Sequence, residues 1–550
     1  MKNIFKYLLV PFILLLTMGS CQKDFLDIEP VDRLTADNFF KNEVEIRAAT
    51  SALYGFPWFD FNDKFAWVAG DCMSGDLYHT WDQEGQFFLF SFNSGNAHLS
   101  AGWKGLFRVI SYANSVINDM PRAATGNVPQ EVINKGLGEA RFIRGMAYYL
   151  LSEYWGEVPI VENSTAIVVS NEFFLPKNTR SSVLEFIRRD LEFASENLPE
   201  SDEPGRVTKW SALGLLAKTH LTMASDLGDS KSGENFELAK QFAAEVINNS
   251  GLSLLPSYAD IFRYDKNNNE ESLFAIQWME GDYAIGNSRQ ANWARSSLIT
   301  GNTEAWGGYK SMTYDFLQNI SGGDDRQPAI YMTVGDHYPE INRENGGYTY
   351  FIVHRDPDDP NTVLESASAT LNNLKKYIIG SSADTDGNVT TGQATRINQI
   401  LLRLADVYLI HAEASLGAQA SSSDVQYFNM IRQRAGLPLL SSLTFMDILK
   451  ERRVEFALEG INWFDIKRFY YRDPGSAVAY LDQMQREVTY YRDESPEAAD
   501  ENTLEGWIED PPANPITVRE SNMWLPIPSA EVVANPMLGP DEPAVEYDFN

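Results

Sequence analysis

The sequence predicts an all-α dominated fold class with long irregular loop insertions between the helices. Stretches with helical spacing of apolar residues occur toward both ends of the 550-residue chain. The segment between them, residues 253–395, is rich in Gly, Asn, Asp and aromatic residues and has few periodic runs. Residues 54–107 have a similar composition. Loops of this length on a compact scaffold usually carry function, so both segments are candidates for a ligand-facing surface.

Four stretches in the first half of the chain have helical patterning. The stretch 136–155 is apolar on most sides, which is typical of a helix buried among other helices. Gly156 and Pro159 then favour its end. The other three stretches are amphipathic and cover residues 182–198, 209–225 and 234–249.

Helical patterning returns after residue 395. A stripe of apolar residues from Ile397 to Ala412 predicts one helix, and residues 425–435 predict another. Thr444 and Asp447 have the spacing of a capping box ahead of an apolar run. The helix that follows is expected to stop at Gly460, the residue type that best adopts a left-handed conformation.

Dense charge accompanies large aromatic residues in this last helical segment, at Arg452, Arg453, Glu455 and Glu459. Ion-pair networks that fix helices together produce such clusters, and so do active sites. We interpret the cluster as a structural ion-pair network rather than a catalytic centre.

The first residues of the chain predict a lipoprotein signal peptide. Lys2 and Lys6 form a positive region, and residues 7–18 are an apolar run that is too short to cross a bilayer. The sequence Met18-Gly19-Ser20-Cys21 resembles a bacterial lipobox, which predicts cleavage before Cys21 and lipidation of its thiol. The alternative is an ordinary secreted protein whose signal peptide happens to end near a cysteine.

Two C-terminal motifs resemble the signature of the SusD/RagB family: ERRVEFALEGINWFDIKRF at 451–469 and WLPIPSAEVVANPML at 524–538. GEARFIRGMAYYLLSEYWGEVPIV at 138–161 is similar to the family's first repeat helix. The pairing of YFNMIRQRAGLP at 427–438 with RLADVYLIHAEA at 403–414 is similar to its late repeat. The resemblance implies a SusD-like fold, in which four tetratricopeptide-like helix pairs form a right-handed superhelical scaffold with the ligand site on loop insertions.

The resemblance also implies a function and a domain organisation. Family members are nutrient-binding lipoproteins on the extracellular face of the outer membrane, work beside a SusC-like TonB-dependent transporter and are not enzymes. Residues 22–24 resemble the surface-export signal of Bacteroidetes lipoproteins. The expected organisation is a signal peptide at 1–20, a lipidated tether at 21–33 and a single SusD-like domain at 34–550. Within this domain we expect an N-terminal part to about residue 252, a loop-rich ligand-facing part at about 253–395 and a C-terminal signature part from about 396.

A glycan is the cargo that the composition favours, because 12% of the residues are aromatic. Aromatic rings cover the apolar face of a pyranose, while polar side chains bind its hydroxyl rim. Tryptophans flanked by polar residues are therefore candidates, although each taken alone is more often a core residue. The aromatic candidates are Trp81, Trp293, Trp306, Tyr309 and Tyr78. The polar candidates are Asp76, Asp82, Asn292 and Arg295.

Charge and motif content exclude other classes of function. The net charge of −31 repels nucleic acid and suits a neutral ligand. The motifs of serine hydrolases, zinc proteases and P-loop enzymes are absent from the sequence, and the six histidines do not cluster along it. Residues 265–276 begin like a calcium loop, but Glu270 and Ile276 replace its turn glycine and its bidentate glutamate. No metal and no cofactor are expected, and Cys72 is interpreted as a small buried residue.

Two alternatives to glycan capture stay open. The RagB side of the family implies the same role with peptide cargo. A helical-repeat scaffold that binds only other proteins would share the fold but would not need exposed tryptophans. Neighbouring genes for carbohydrate degradation or for peptidases would separate the first two hypotheses.

Overall fold

The computed structural model describes residues 39–124, 126, 128–301, 303–367, 369–387, 391–492 and 500–549. The predicted signal peptide, Cys21 and the tether lie outside the described residues. Within the described ranges, no helix combines the length and the apolar character that crossing a membrane requires.

Helices dominate the N-terminal part. The α-helices are α1 Glu43–Ser51, α2 Asp82–Phe88, α3 Ala97–Ala123, α4 Gln130–Tyr154, α5 Ser164–Ser170, α6 Arg180–Asn197, α7 Lys209–Ala224 and α8 Ser232–Asn249. A 3₁₀ turn at Phe56–Trp58 and two π-helical turns at Phe61–Phe65 and Val68–Cys72 connect α1 to the segment before α2. The positions of α4, α6, α7 and α8 confirm the four helices that the periodicity predicts.

The middle of the chain contains only short helices. They are α9 Arg289–Trp293, α10 Ser297–Thr300, α11 Tyr314–Asn319 and α12 Gln327–Ile330. Helices return in the C-terminal part as α13 Leu404–Leu416, α14 Gln426–Arg434, α15 Phe445–Glu455, α16 Asn462–Arg472, α17 Pro474–Asp482 and α18 Ser529–Ala534.

Short antiparallel strand pairs are distributed among these helices. The strands are β1 Leu77–Tyr78, β2 Ser272–Ile276, β3 Ser311–Met312, β4 Tyr331–Met332, β5 His337–Tyr338, β6 Tyr348–Thr349, β7 Val353–Arg355, β8 Val363–Ser366, β9 Asn373–Leu374, β10 Gln399–Arg403, β11 Thr489–Arg492 and β12 Trp507–Asp510. The pairs are β1 with β3, β2 with β10, β4 with β9, β5 with β6, β7 with β8 and β11 with β12.

Helices that follow one another along the chain pack against one another. Helix α4 packs on α3 and α6, α7 packs on α6 and α8, and α13 packs on α8 and α14. From Gly138 to Tyr154 nearly every residue of α4 is buried, as its apolar pattern predicts. Consecutive packing is what a superhelical scaffold requires, and the tetratricopeptide-like assignment of the individual pairs stays a prediction.

The helix predicted from Ile397 begins too early. Residues Gln399–Arg403 form strand β10, which pairs with β2, and α13 starts only at Leu404. The apolar stripe suits both structures, because Ile400 and Leu402 are buried in the strand pair. Pairing with the distant β2 therefore overrides the local helical pattern.

One long helix was not predicted. Residues 54–107 were interpreted as irregular, but α3 begins at Ala97 and continues for 27 residues. Its side chains Leu99, Trp103 and Leu106 are buried along one face. Asn96 caps the helix by accepting hydrogen bonds from the backbone N–H groups of His98 and Leu99.

The C-terminal signature forms two helices, but α15 ends at Glu455, five residues before the stop predicted at Gly460, because residues 456–460 form turns. The Thr444 and Asp447 side chains form the capping box of α15, and Gly460 has a φ of 75° just before α16. The charged cluster is a buried ion-pair network: Arg452 pairs with Asp406 at 2.7 Å, and Glu459 pairs with Arg403 at 2.9 Å. This geometry confirms the structural interpretation.

Candidate functional site

An exposed pair of stacked aromatic rings is the most prominent feature of the surface. The rings of Trp81 and Tyr309 lie 5.8 Å apart between centroids with an interplanar angle of 7°. Their exposed fractions are 67% and 68%, so each ring keeps most of its surface in solvent. We call these two residues the aromatic platform. Two nearly parallel rings held side by side in this way present more apolar ring surface to solvent than either ring alone.

Strand pairing brings the two rings together from distant parts of the chain. In the β1–β3 pair, Leu77 lies opposite Met312 and Tyr78 lies opposite Ser311. Because the strands are antiparallel, Trp81 after β1 and Tyr309 before β3 leave the pair at the same end. Trp81 then caps α2, and its carbonyl accepts a 2.8 Å hydrogen bond from the Gly85 N–H.

The short helix α9 supports the Tyr309 side of the platform. The N–H of Trp306 donates to the Ala291 carbonyl at 2.7 Å, and the N–H of Gly307 donates to Ala294 at 2.9 Å. A Cβ atom at Gly307 would lie 2.1 Å from the Trp293 carbonyl oxygen, so only glycine fits this approach. Trp306 itself is 46% exposed, which makes it a third aromatic side chain accessible in this segment.

A buried charge cluster lies between the two segments that carry the platform. Glu84, on α2, accepts a hydrogen bond from Lys64, lies 3.1 Å from Nε2 of His79 and forms an ion pair with Lys310 at 3.6 Å. Burial alone would raise the pKa of Glu84, but the hydrogen bond from His79 and the charge of Lys310 outweigh it, so this pKa lies below its ordinary value. Burial lowers the pKa of His79, which disfavours its protonation.

Sequence reasoning missed one further exposed ring, that of Tyr283. Its hydroxyl donates to Asp63 at 2.7 Å, and its ring packs edge-on against Phe59 at 4.8 Å. Asp63 also accepts a 3.1 Å hydrogen bond from the Trp67 indole through its carbonyl oxygen, and the Lys310 ammonium lies 5.3 Å from the Trp67 ring centre. These contacts connect Tyr283 to the platform, a relationship that no local sequence signal indicates.

Four predicted ligand contacts are corrected, because the structure buries them. Trp293 has no exposed surface and packs on the Tyr377 ring at 5.7 Å. Asn292 donates to the Ser288 carbonyl, and Arg295 pairs with Glu365 at 2.8 Å. Asp76 accepts hydrogen bonds from Arg453 and Asn462, each at 2.7 Å. These side chains serve the core, and no ligand reaches them at the surface of this structure.

The other predicted residues remain accessible. Trp81, Tyr309 and Trp306 are exposed, as is Asp82, which follows Trp81 directly. Tyr78 is half-buried and packs on Phe88 at 5.2 Å. Asp82 has a φ of 55°, a left-handed conformation that aspartate adopts more readily than most residues. Whether these residues contact a ligand stays a prediction.

Metal-ligating side chains do not gather in the described part of the chain: none of its groups of three or more His, Cys, Asp or Glu is arranged to hold an ion. Cys72 is a buried free cysteine, and burial raises the pKa of its thiol well above the ordinary value. A thiol in this state is a poor nucleophile.

A helical scaffold that presents exposed aromatic rings is the architecture of a binding protein, and sequence comparison identifies its family. Residues 240–539 match the model of the SusD family, and residues 58–221 match a related model described as starch-binding associating with outer membrane. The chain belongs to the SusD family. Because the members of this family are binding proteins, the expectation that the chain is not an enzyme is confirmed.

Individual relatives cover nearly the whole chain. A SusD-like protein of Bacteroides ovatus is 33% identical over 97% of this chain and 97% of its own length. SusD-like protein P2 of Formosa agariphila is 27% identical over 84% of this chain and 90% of its own length. A crystal structure with xylogluco-oligosaccharide is 33% identical, covers 92% of this chain and 99% of its own, and has a TM-score of 0.81. The SusD-like fold predicted from the sequence is confirmed.

Proposed function

We propose that this protein is a cell-surface glycan-binding lipoprotein that captures oligosaccharides or polysaccharides and delivers them to a SusC-like TonB-dependent transporter. The observation that carries the proposal is the stacked pair of Trp81 and Tyr309, whose nearly parallel rings are both about two-thirds exposed. A large aromatic surface that is held rigidly in solvent has a cost in hydration. Contact with a ligand removes this cost.

The shape of the platform favours a sugar. The C–H face of a pyranose is flat and apolar, and it matches two rings that differ by only 7° in orientation. Asp82 adjoins Trp81, and its carboxylate is exposed to accept hydrogen bonds from sugar hydroxyls. Trp306 and Tyr283 are two further exposed aromatic rings in the loop-rich part of the chain.

The cargo that we propose to test first is a xyloglucan-type oligosaccharide. Support comes from the relative whose crystal structure contains xylogluco-oligosaccharide, because it is 33% identical to this chain over almost its full length. The negative charge of the chain agrees with a neutral glycan, since an anionic polysaccharide would be repelled.

Anchoring at Cys21 is part of the proposal. Two or more acyl chains on one cysteine hold a protein stably at a membrane, and residues 24–33 would act as the leash. Near the start of the described chain, the Lys41 side chain donates a 3.0 Å hydrogen bond to the carbonyl of Ala123, the last residue of α3. The platform lies near the other end, where Asn96 donates to the Gln83 carbonyl of α2 at 3.0 Å. Because α3 has 27 residues, the start of the described chain and the platform lie about 40 Å apart along this helix.

The lid role on the transporter is part of the same proposal. A protein that is anchored only through the start of its chain can swing over the barrel while the anchor stays fixed. In the proposed cycle, glycan binds the aromatic platform, the protein closes over the extracellular mouth of the barrel, and the glycan is released inward.

Isothermal calorimetry on the soluble form that starts at Gln22 tests the proposal. The titrants are xyloglucan oligosaccharides, laminarin, starch and xylan, with a peptide mixture as the comparison for the alternative cargo. Saturable binding of one glycan class, with no heat from the peptides, supports the proposal. Binding of the peptides alone, or of none of the titrants, contradicts the glycan assignment.

A further inference from the structure

A cavity with a volume of about 650 Å³ lies in the loop-rich part of the chain, apart from the aromatic platform. Its walls are the turn Ala259–Phe262, helix α12 and strand β5, and Tyr377 and Ile379 form its floor. No residue of the aromatic platform lines it. The volume falls within the range of roughly 300–1,000 Å³ that is typical of small-molecule sites.

Helix α9 separates this cavity from the platform. On one side of the helix, the Trp293 ring packs on Tyr377 at the cavity floor, with 5.7 Å between ring centres. On the other side, the Ala291 carbonyl accepts the hydrogen bond from Trp306. The two surfaces are therefore distinct, although one short buried helix supports both.

Hydrogen bonds through Asp384 hold the mouth of the cavity in a fixed shape. One of its carboxylate oxygens accepts from the Arg343 N–H at 2.8 Å. The other accepts from the N–H and the hydroxyl of Ser381 at 2.8 and 2.9 Å. The Arg343 side chain also donates to the Asp384 carbonyl at 2.7 Å. A rim ordered in advance reduces the entropy lost when a ligand binds.

The charged groups of the lining are largely balanced against one another. Lys375 pairs with Glu340 at 3.2 Å and lies over the Tyr338 ring at 5.3 Å. Arg263 pairs with Asp265 at 2.7 Å. A strongly charged ligand would have to displace these internal pairs, whereas a neutral ligand leaves them in place.

Donors and acceptors nevertheless remain available to a polar ligand. A carboxylate accepts up to about four hydrogen bonds and an ammonium donates three, so the Lys375–Glu340 pair does not exhaust either group. Tyr264 is half-buried in the wall, and its hydroxyl donates to Asp386 at 3.2 Å. Its ring stands beside these polar groups at the edge of the cavity.

We infer that this cavity is a second binding site, selective for a neutral saccharide of one or two units. Tyr264 would contact the C–H face of the sugar, while Glu340, Lys375 and Asp386 would bind its hydroxyls. The concave shape distinguishes the site from the exposed platform, which accommodates a longer chain. The inference does not depend on glycan binding at the platform.

Saturation-transfer NMR on the full soluble chain tests the second site with glucose, galactose, xylose, cellobiose and the dipeptide Ala-Ala as probes. The comparison includes the wild type, Tyr264→Ala, the platform double variant with Trp81→Ala and Tyr309→Ala, and Tyr112→Ala as a matched control. Tyr112 is an exposed tyrosine on α3. If Tyr264→Ala lowers the melting temperature, Lys375→Met replaces it, because it removes the charge but keeps the aliphatic stem.

We expect at least one sugar to give a signal that the platform variant and Tyr112→Ala retain and that Tyr264→Ala reduces at least fivefold. The inference is overturned if no sugar gives a signal that depends on the pocket residues. It is also overturned if only the dipeptide depends on them. Loss of the sugar signal in the platform variant would likewise overturn it, because that signal would then belong to the platform.

Discussion

Lys310 and Glu84 form a buried ion pair of 3.6 Å that joins the two segments carrying the aromatic platform. Lys310 follows Tyr309 in sequence, and Glu84 lies one helical turn after Trp81 in α2. The parallel arrangement of two exposed rings therefore rests on charged groups that solvent barely reaches. The buried ion pair therefore supports the geometry of the exposed rings. A change in pH or the substitution of Glu84 should alter that geometry.

Replacing Glu84 with Gln is expected to lower the free energy of unfolding at pH 7 by about 3 kcal/mol, because it leaves the buried Lys310 without its carboxylate. The pKa of Glu84 lies below its ordinary value of 4.5 in the folded protein. Its contribution is therefore complete above about pH 4.5 and is lost progressively as the pH falls from there toward the lower pKa of the folded protein. Urea unfolding at pH 7 and pH 3 measures both effects.

The matched control for this prediction is Glu505→Gln, since Glu505 is exposed. It should change the unfolding free energy by less than about 0.5 kcal/mol at either pH. If Glu84→Gln and the wild type lose stability in parallel between pH 7 and pH 3, Glu84 does not supply the acid sensitivity.

Replacing Trp81 or Tyr309 with Ala is expected to weaken glycan binding by about tenfold each, or about 1.4 kcal/mol. Both side chains are about two-thirds exposed, so the melting temperature should stay within a degree or two of the wild type. Calorimetry with the best-binding glycan and a thermal melt measure the two quantities. Phe174→Ala, which removes an exposed ring elsewhere, should leave the affinity unchanged.

Replacing Trp293 with Ala is expected to have the opposite pattern. The indole is fully buried against Tyr377, so its removal should cost about 3–5 kcal/mol of folding free energy. Chemical unfolding of the two tryptophan variants, Trp293→Ala and Trp81→Ala, separates core from platform. A Trp293 variant with wild-type stability and impaired binding would restore Trp293 as a ligand contact.

The buried network of the signature helices gives a stability prediction. Arg403 forms ion pairs with Glu455 at 2.5 Å and Glu459 at 2.9 Å, and all three side chains are fully buried. Arg403→Met leaves two buried carboxylates with reduced compensation, and it should destabilise the fold by about 3–5 kcal/mol. Arg188→Met removes a partly exposed partner of Glu185 and should cost less than about 1 kcal/mol. Equal losses of folding free energy in both variants would contradict the expectation that burial makes the Arg403 ion pairs more important for stability.

Local sequence patterns predicted the scaffold well, because helical spacing and caps depend on residues that are close in sequence. The capping box at Thr444 and the apolar pattern of α4 are examples. The same patterns failed at Ile400, where pairing with β2 decided the structure, and at α3, whose many small and polar residues obscured its buried face. In both cases the missing information is a contact with a distant segment.

The candidate site was less predictable for the same reason. Polar neighbours in sequence made Trp293 and Trp306 look alike, but α9 places Trp293 in the core, while Trp306 follows on the surface. Trp81 and Tyr309 were selected separately, and only the β1–β3 pairing shows that they stack. Tyr283 had no local signal, since its link to the platform passes through Asp63 and Trp67.

The proposed lipid anchor leads to a prediction that depends on the sequence alone. The chain has two cysteines, Cys21 in the predicted lipobox and the buried Cys72. Cys21→Ala should release the protein from the outer-membrane fraction, because the acyl chains can no longer attach and the acidic surface does not favour anionic headgroups. Cys72→Ala is the matched control and should stay with the membrane.

Fractionation is best carried out in cells that lack the transporter, where protein contacts cannot retain the chain. If Cys21→Ala still sediments with the outer membrane there, the protein has another means of attachment, and the proposed tethered lid loses its anchor.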